Sequence, residues 1–310
     1  MGAGWVAGVT RARAMHSSRC VGASGAREVA AAVTLGEAVR YLAAGPYRRH
    51  LATEATLAEA QRVVAAALLW HLRVLAGWQP RAGVSAVRLL AAGFEIANVE
   101  SHLRSLEDPA GAAPEPYRLG ALATAWPRLA RTGTPADVRA VLAASAWGDP
   151  GGDSPAAVAT GMRIAAAERT AAAVPWAEGW ASGRAALLVA RERYLADRPM
   201  TSPTARRAAR ILGAGAVGAP SFAEFRQRLP RVARWVMDGV DDARNLWRAE
   251  TRWWTRLEQD GFDLLRGSRF DASAVIGAIA VMSADAWRVR AALELAARGG
   301  QPLEAFDALV

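Results

Sequence analysis

Residue types able to do chemistry gather most densely in residues 93–104, where Glu95, Asn98, His102 and Arg104 share one short stretch. A carboxylate, an amide, an imidazole and a guanidinium make a polar constellation of the kind an acid–base or binding site uses. The adjacent Ser101 and His102 do not form a local nucleophile–base pair, because neighbouring side chains on a helix point about 100° apart. The other histidines, His16, His50 and His71, are dispersed, and no second ligand stands at a matching position near His71. The acid pairs Glu107-Asp108 and Asp241-Asp242 lie in polar surroundings and read as a loop and a solvated helix start. Cys20 is the single cysteine, so no internal disulfide forms. With no His and Asp/Asn pattern beside it, it reads as an inert thiol in a reducing compartment.

The motifs that would give these groups a reaction are absent. There is no His-Glu-x-x-His, Cys-x-x-Cys, Gly-x-Ser-x-Gly or phosphate-binding Gly-x-x-x-x-Gly-Lys-Ser/Thr. The glycine-rich residues 147–153 lack the Lys-Ser/Thr pair and follow no strand, so they read as a loop. The sequence therefore predicts no catalytic, cofactor-binding or metal-ligating residue.

Composition narrows the class further. The chain has 310 residues, of which 52% are hydrophobic, and a formal net charge of +9. A basic chain invites a nucleic-acid or anionic-membrane partner. Yet every basic residue is Arg, none is Lys, and the arginines are scattered rather than blocked. With abundant Ala and Gly, that is the mark of a GC-rich coding sequence. No run of about 18 apolar residues is free of charge, so no membrane span is expected. The opening residues fit an ordinary first helix better than a transit peptide, and a secretory leader is not expected.

The elements that must position the polar stretch are all helical. Period-two runs of β-branched residues are missing, and Pro and Gly fall between periodic segments. Thr34-x-x-Glu37, Thr56-x-x-Glu59 and Ser221-x-x-Glu224 are capping boxes, and Thr134-Pro135-Ala136-Asp137 is a capped start with Pro at the first helical position. Single helices are predicted over about 84–106, 121–130, 155–173, 175–195, 205–212, 243–266 and 272–297. A stripe of Trp247, Trp253 and Trp254 reads as core packing more than as a stacking platform.

Three starts resemble one another. After Thr34, Thr134 and Ser221 an acid follows at +3, an apolar residue at +4 and a leucine at +8. Tyr47 and Trp147 stand at +13, and Trp235 stands at +14 in the third copy. Each start is followed by a helix of the 93–104 type, beginning near Glu95, near Glu178 and at Asp285. Setting Glu95 on Asp285 aligns Val99 with Val289 and Leu103 with Leu293. Three degenerate helical modules are therefore expected, at 1–120, 121–204 and 205–310, with the Glu95 helix closing the first.

This pattern resembles the central-stalk socket of the V/A-type ATPases, the C-type component of the bacterial and archaeal enzymes and relative of the d-type component of the eukaryotic V-ATPases. Ser221-Phe222-Ala223-Glu224-Phe225 is similar to that family's module opening. Glu95, Asn98, Val99, Leu103 and Arg104 are similar to its Glu-x-x-Asn-apolar-x-x-x-Leu-Arg helix. The likeness covers roughly residues 5–307. Asn98 has Arg288 as its counterpart in the third module, and the second module has no clear one. The resemblance implies an all-α, pseudo-threefold funnel at the cytoplasmic face of the membrane. It implies a non-catalytic, cofactor-free rotor part joining the central shaft to the ion-carrying ring, with proton or sodium transport linked to ATP hydrolysis or synthesis. It implies no nucleic acid and no small-molecule substrate. Glu95, Asn98, Arg104, Asp285 and Arg288 are then structural or subunit-interface candidates. The alternative reading is a general helical adaptor or scaffold, and after it a helical enzyme or nucleic-acid binder.

Overall fold

The computed structural model describes residues 4–48, 51–111, 114–301 and 303–307; His50 lies outside the described residues. The fold is all-α, with no strand among the described residues. In chain order the helices are α1 (Gly4–Arg19), α2 (Gly22–Ala31), α3 (Leu35–Ala44), α4 (Leu57–Gly77), α5 (Arg81–Leu90) and α6 (Ala92–Glu107). They continue with α7 (Trp126–Leu129), α8 (Pro135–Ala143), α9 (Pro155–Ala173), α10 (Glu178–Ala190), α11 (Ser202–Leu212) and α12 (Ala214–Val217). The last are α13 (Phe222–Arg228), α14 (Arg231–Arg234), α15 (Leu246–Arg266), α16 (Ala272–Ala296) and α17 (Leu303–Asp307).

The capped starts form as their side chains dictate. Thr34, Thr56, Thr134 and Ser221 each accept a hydrogen bond from the amide three residues on, and at Thr56 the Glu59 carboxylate reaches back to complete the box. Several expected helices are broken instead. The helix predicted over 84–106 is α5 and α6, bent by 48°, with Ala91 between them near φ −88°, ψ 2°. The one predicted over 121–130 is a 3₁₀ turn, Gly120–Leu122, followed by the four-residue α7. The one over 175–195 opens in a 3₁₀ turn and ends in a π-helical turn, Arg191–Leu195. The helices α2, α12 and α17 carry no signal in the sequence that sets them apart as separate elements.

The chain forms two compact units, one of Met1–Val84 with Trp254–Val310, the other Ser85–Trp253. In the first unit α16 is the axle. It packs against α1, α2, α3, α4 and α17, and one core joins Leu42, Val64, Val289, Leu293 and Phe306. α16 has the length and mean hydropathy of a membrane span, but 78% of its apolar window is buried within the fold, so here it is a core helix. Its Gly277 lies against the Gly261 backbone, where a Cβ would stand 2.6 Å from the Gly261 carbonyl oxygen. Only glycine allows that approach.

Two cores stand out among the described residues of the second unit. One gathers Ile96, Val99 and Leu103 of α6 with Leu129, Val138, Leu142, Trp147 and Met162. The other gathers Ala185, Ala186, Val189 and Ala190 of α10 with Leu212, Phe225, Leu229 and Val236.

These three of the cores among the described residues share features but not the expected order. Each holds the +4 and +8 residues of one capped helix beside a face of α6, α10 or α16, with further helices such as α4 and α9 completing it. α8 (Val138, Leu142) shares its core with α6, and α13 (Phe225) with α10, each the long helix before it in the chain. α3 (Ala38, Leu42) shares its core with α16, the last long helix. The Glu95 helix therefore does not close a module opened by Thr34. The division 1–120, 121–204 and 205–310 follows chain order, whereas the cores pair cyclically and join the beginning of the chain to its end.

Leu142 is fully buried, and truncating such a leucine loses transfer energy and leaves a cavity. Leu142→Ala is expected to lower stability by about 2–5 kcal/mol, read from the shift in the urea midpoint. A shift within error of zero would contradict its place in the core.

Candidate functional site: a polar stripe that clamps backbone

The polar constellation is built on α6. Its apolar residues Ile96, Val99 and Leu103 face the core. Glu95, Asn98 and His102 occupy positions i, i+3 and i+7, which places them on one strip of the helix surface. All three reach the irregular chain between Glu107 and Thr134.

Glu95 is 2% exposed. Its Oε2 accepts from the Thr124 amide at 2.6 Å, and its Oε1 accepts from the Ala125 amide at 2.6 Å and from Trp147 Nε1 at 3.2 Å. Asn98 grips Tyr117 from both sides: Nδ2 donates to the Tyr117 carbonyl at 2.9 Å, and the Tyr117 amide donates to Oδ1 at 2.6 Å. Phe94 meets the Tyr117 ring edge to face, with centroids 5.3 Å apart. His102 Nε2 lies 2.9 Å from Thr132 Oγ1 and 3.2 Å from the Thr132 carbonyl. Its ring stands edge-on to Trp126. Arg104 points elsewhere. It is exposed and donates Nε back to the Glu100 carbonyl of its own helix at 3.3 Å.

The same device recurs on α16. Asp285, 3% exposed, accepts from the Val21 amide at 3.0 Å (Oδ2) and the Gly22 amide at 2.7 Å (Oδ1). Gly22 has φ +77°, a left-handed conformation suited to glycine. Arg288, three residues on, donates to the Glu258 carboxylate. Both carboxylates thus take two consecutive amides just before or at the start of a helix, α7 in one case and α2 in the other. Both also lie near the aromatic thirteen residues after a capped start. Trp147 donates to Glu95, and the Asp285 charge acts on buried Tyr47, whose hydroxyl is pushed up chiefly by burial and then by that charge.

The third long helix lacks the acid. Glu178 is exposed. Buried Ser182 and Gly183 stand near its middle, and a Cβ on Gly183 would come within 2.9 Å of Trp235 Cζ2. Trp235 donates its Nε1 locally to the Val232 carbonyl at 2.9 Å. That indole is satisfied without a buried carboxylate, and the space goes to the ring.

The remaining chemical candidates have local explanations. Asp242 caps its 3₁₀ turn by accepting from the Arg244 amide at 2.8 Å, and Asp241 pairs with Arg226 at 2.6 Å. Cys20 is driven upward by burial and by the charges of Asp285 and Glu258, which disfavours the reactive thiolate. Trp253 donates to the Trp180 carbonyl at 2.7 Å. Trp254 stacks on Trp287 with centroids 5.1 Å apart. Trp247 does not join a stripe: it is 46% exposed, with Arg248 over its ring. Among the described residues no group of three or more His, Cys, Asp or Glu side chains could hold a metal.

The partners of the stripe, Tyr117, Thr124, Ala125, Val21, Gly22 and Glu258, carry no motif of their own. Only the +13 spacing of Tyr47 and Trp147 points toward them. No protein-family model matches the chain, and no curated protein matches it.

Removing the Glu95 carboxylate strands two backbone amides and an indole N–H in the interior, each costing about 1–3 kcal/mol. Glu95→Ala is expected to destabilise the second unit by about 3 kcal/mol or more, with Glu95→Gln intermediate. Urea unfolding followed by tryptophan fluorescence measures both, and a wild-type midpoint in Glu95→Ala would overturn the clamp.

Asp285 makes a pH-dependent contribution. Burial raises its carboxyl above the ordinary value, against the pull of the Val21 and Gly22 amides and of Arg288, while Glu258 adds to the rise. The folded chain therefore holds this proton to a higher pH than the unfolded chain. The contribution is full below about pH 4 and is lost as pH rises through the folded value. The stability difference between wild type and Asp285→Asn should shift against the wild type as pH rises above about 4. A difference flat in pH would exclude a raised carboxyl.

Proposed function

We propose that the chain is a non-catalytic coupling part of a rotary ATPase of the V/A type. In this reading it is a helical socket peripheral to the membrane, joining the central shaft to the ion-carrying ring. Its three cores are the modules of a pseudo-threefold funnel, and it transmits torque for proton or sodium transport linked to ATP hydrolysis or synthesis.

The observation that carries this reading is the threefold reuse of one plan. A capped helix with apolar +4 and leucine +8 residues shares its core with a face of α6, α10 or α16 among other helices, and the first capped helix meets the last long helix. Of α6, α10 and α16, two carry a buried acid holding consecutive amides. The polar residues of α6 are spent on holding the chain's own backbone, which suits a part that must be stiff. Arg104 is the exposed member of the set and the one suited to meeting a neighbouring protein of the complex.

The test is affinity isolation of the tagged chain from detergent-solubilised native membranes, with the co-purifying proteins identified by mass spectrometry. Recovery of shaft and ring components in constant ratio is expected. A chain that returns with neither overturns the proposal.

A further inference from the structure

The first unit brings together basic and aromatic residues that stand far apart in the sequence. The connection between α15 and α16 lies against α1. Arg13 of α1 donates Nη2 to the Gly267 carbonyl at 2.5 Å, across a sequence separation of 254 residues, and its guanidinium stands 5.4 Å from the centroid of the Phe270 ring. His16, one helical turn on from Arg13, meets the Phe262 ring edge to face with centroids 5.5 Å apart. Both phenylalanines therefore border one strip of α1. Phe262 is 38% exposed and Phe270 39%, although a phenyl ring has no polar atom to offer water. Arg266 and Arg269, both exposed, stand on the same connection.

The acids of this corner are committed. α1 has no acidic residue, and residues 262–271 hold only Asp263 and Asp271. Asp263 is matched by Arg266. Asp271 caps α16, accepting from the Ser273 amide at 2.9 Å and from the Ser273 hydroxyl, where the positive end of the helix dipole offsets its charge. Arg13 is steadied by a carbonyl and a ring face, both neutral. Among the described residues neither Arg13 nor Arg269 forms an ion pair. Two unmatched guanidiniums thus stand beside two half-exposed phenyl rings.

We propose that this corner, Phe262 and Phe270 with Arg13, Arg266 and Arg269, docks on an anionic phospholipid surface. A phenyl ring gains by leaving water, and a guanidinium gains from phosphate oxygens, which match its fork. A lipid interface offers both together, headgroup phosphates above and the acyl boundary beneath. A nucleic-acid duplex offers the phosphates without an apolar boundary for the rings. With so few basic residues the docking is weak, reversible and dependent on anionic lipid. It does not depend on the rotary reading: a chain that binds vesicles but returns from native membranes without shaft or ring components sinks that reading alone.

Co-sedimentation of the full chain with vesicles of one part phosphatidylserine to two parts phosphatidylcholine, in low-salt buffer, tests it. Saturable binding is expected, with little binding to phosphatidylcholine alone and progressive release as added salt screens the charges. Arg13→Ala and Arg269→Ala should each weaken binding about fivefold, the share of one arginine at such a surface. Phe270→Ala should weaken it severalfold at every salt concentration, because the share of the ring is not screened. Arg73→Ala, an exposed arginine of α4, should bind as wild type. Circular dichroism of each variant reports folding, and Arg269→Ala, whose side chain is exposed, carries the test should Arg13→Ala disturb the Gly267 contact. Absence of vesicle binding, equal binding to the neutral vesicles, wild-type binding in Arg269→Ala and Phe270→Ala, or an equal loss in Arg73→Ala overturns the proposal. The first of these is the outcome if the corner instead meets an acidic protein or a nucleic acid.

Discussion

The second unit depends on a carboxylate buried where a loop would otherwise have no partners. Between α6 and α8 the described residues hold only a 3₁₀ turn and the four-residue α7, and the amides there must be satisfied by something. Glu95 supplies two acceptors at the point where α7 begins. Taking a charge out of water is costly, and here three donors offset that cost. Asp285 acts in the same way with two amides. Its carboxyl is raised despite them, so two backbone donors and a nearby arginine do not fully replace water at that depth.

This interaction differs among the cores of the capped helices. In each, the aromatic after the capped helix is packed and its polar atom needs a partner. Trp147 meets this requirement through Glu95. Trp235 meets it through a carbonyl three residues back in its own chain, and then the facing helix needs room rather than charge. Gly183 supplies the room. The α10 core is built without a buried acid, because a different residue answers the same physical demand.

Legibility follows range. The caps at Thr34, Thr56, Thr134 and Ser221 are readable because each closes within four residues. The break before α7 is not. The Thr124 and Ala125 amides go to a side chain some thirty residues away, so the helical ladder predicted there never forms. The cyclic pairing of cores is equally hidden. The +4 and +8 pattern marks which face of α3 is buried, but it cannot tell whether α6 or α16 covers it. For the site, residue types and spacing locate Glu95, Asn98 and Asp285. Their acceptor role becomes readable only with the amides of Val21, Gly22, Tyr117, Thr124 and Ala125 in place.

The placement of polar groups on α6 also bears on what the second unit can do mechanically. Glu95, Asn98 and His102 fix three successive points of one loop to one rigid element. Hydrogen bonds in a low-dielectric interior are stronger than their exposed counterparts, and losing one partner costs the full desolvation of the other. A loop held this way opens only when several such costs are met together. Reactive sites keep a polar group available to a substrate, whereas here the carboxylate and the amide of the constellation are consumed by backbone. The stripe therefore ties an irregular connection into the helical body.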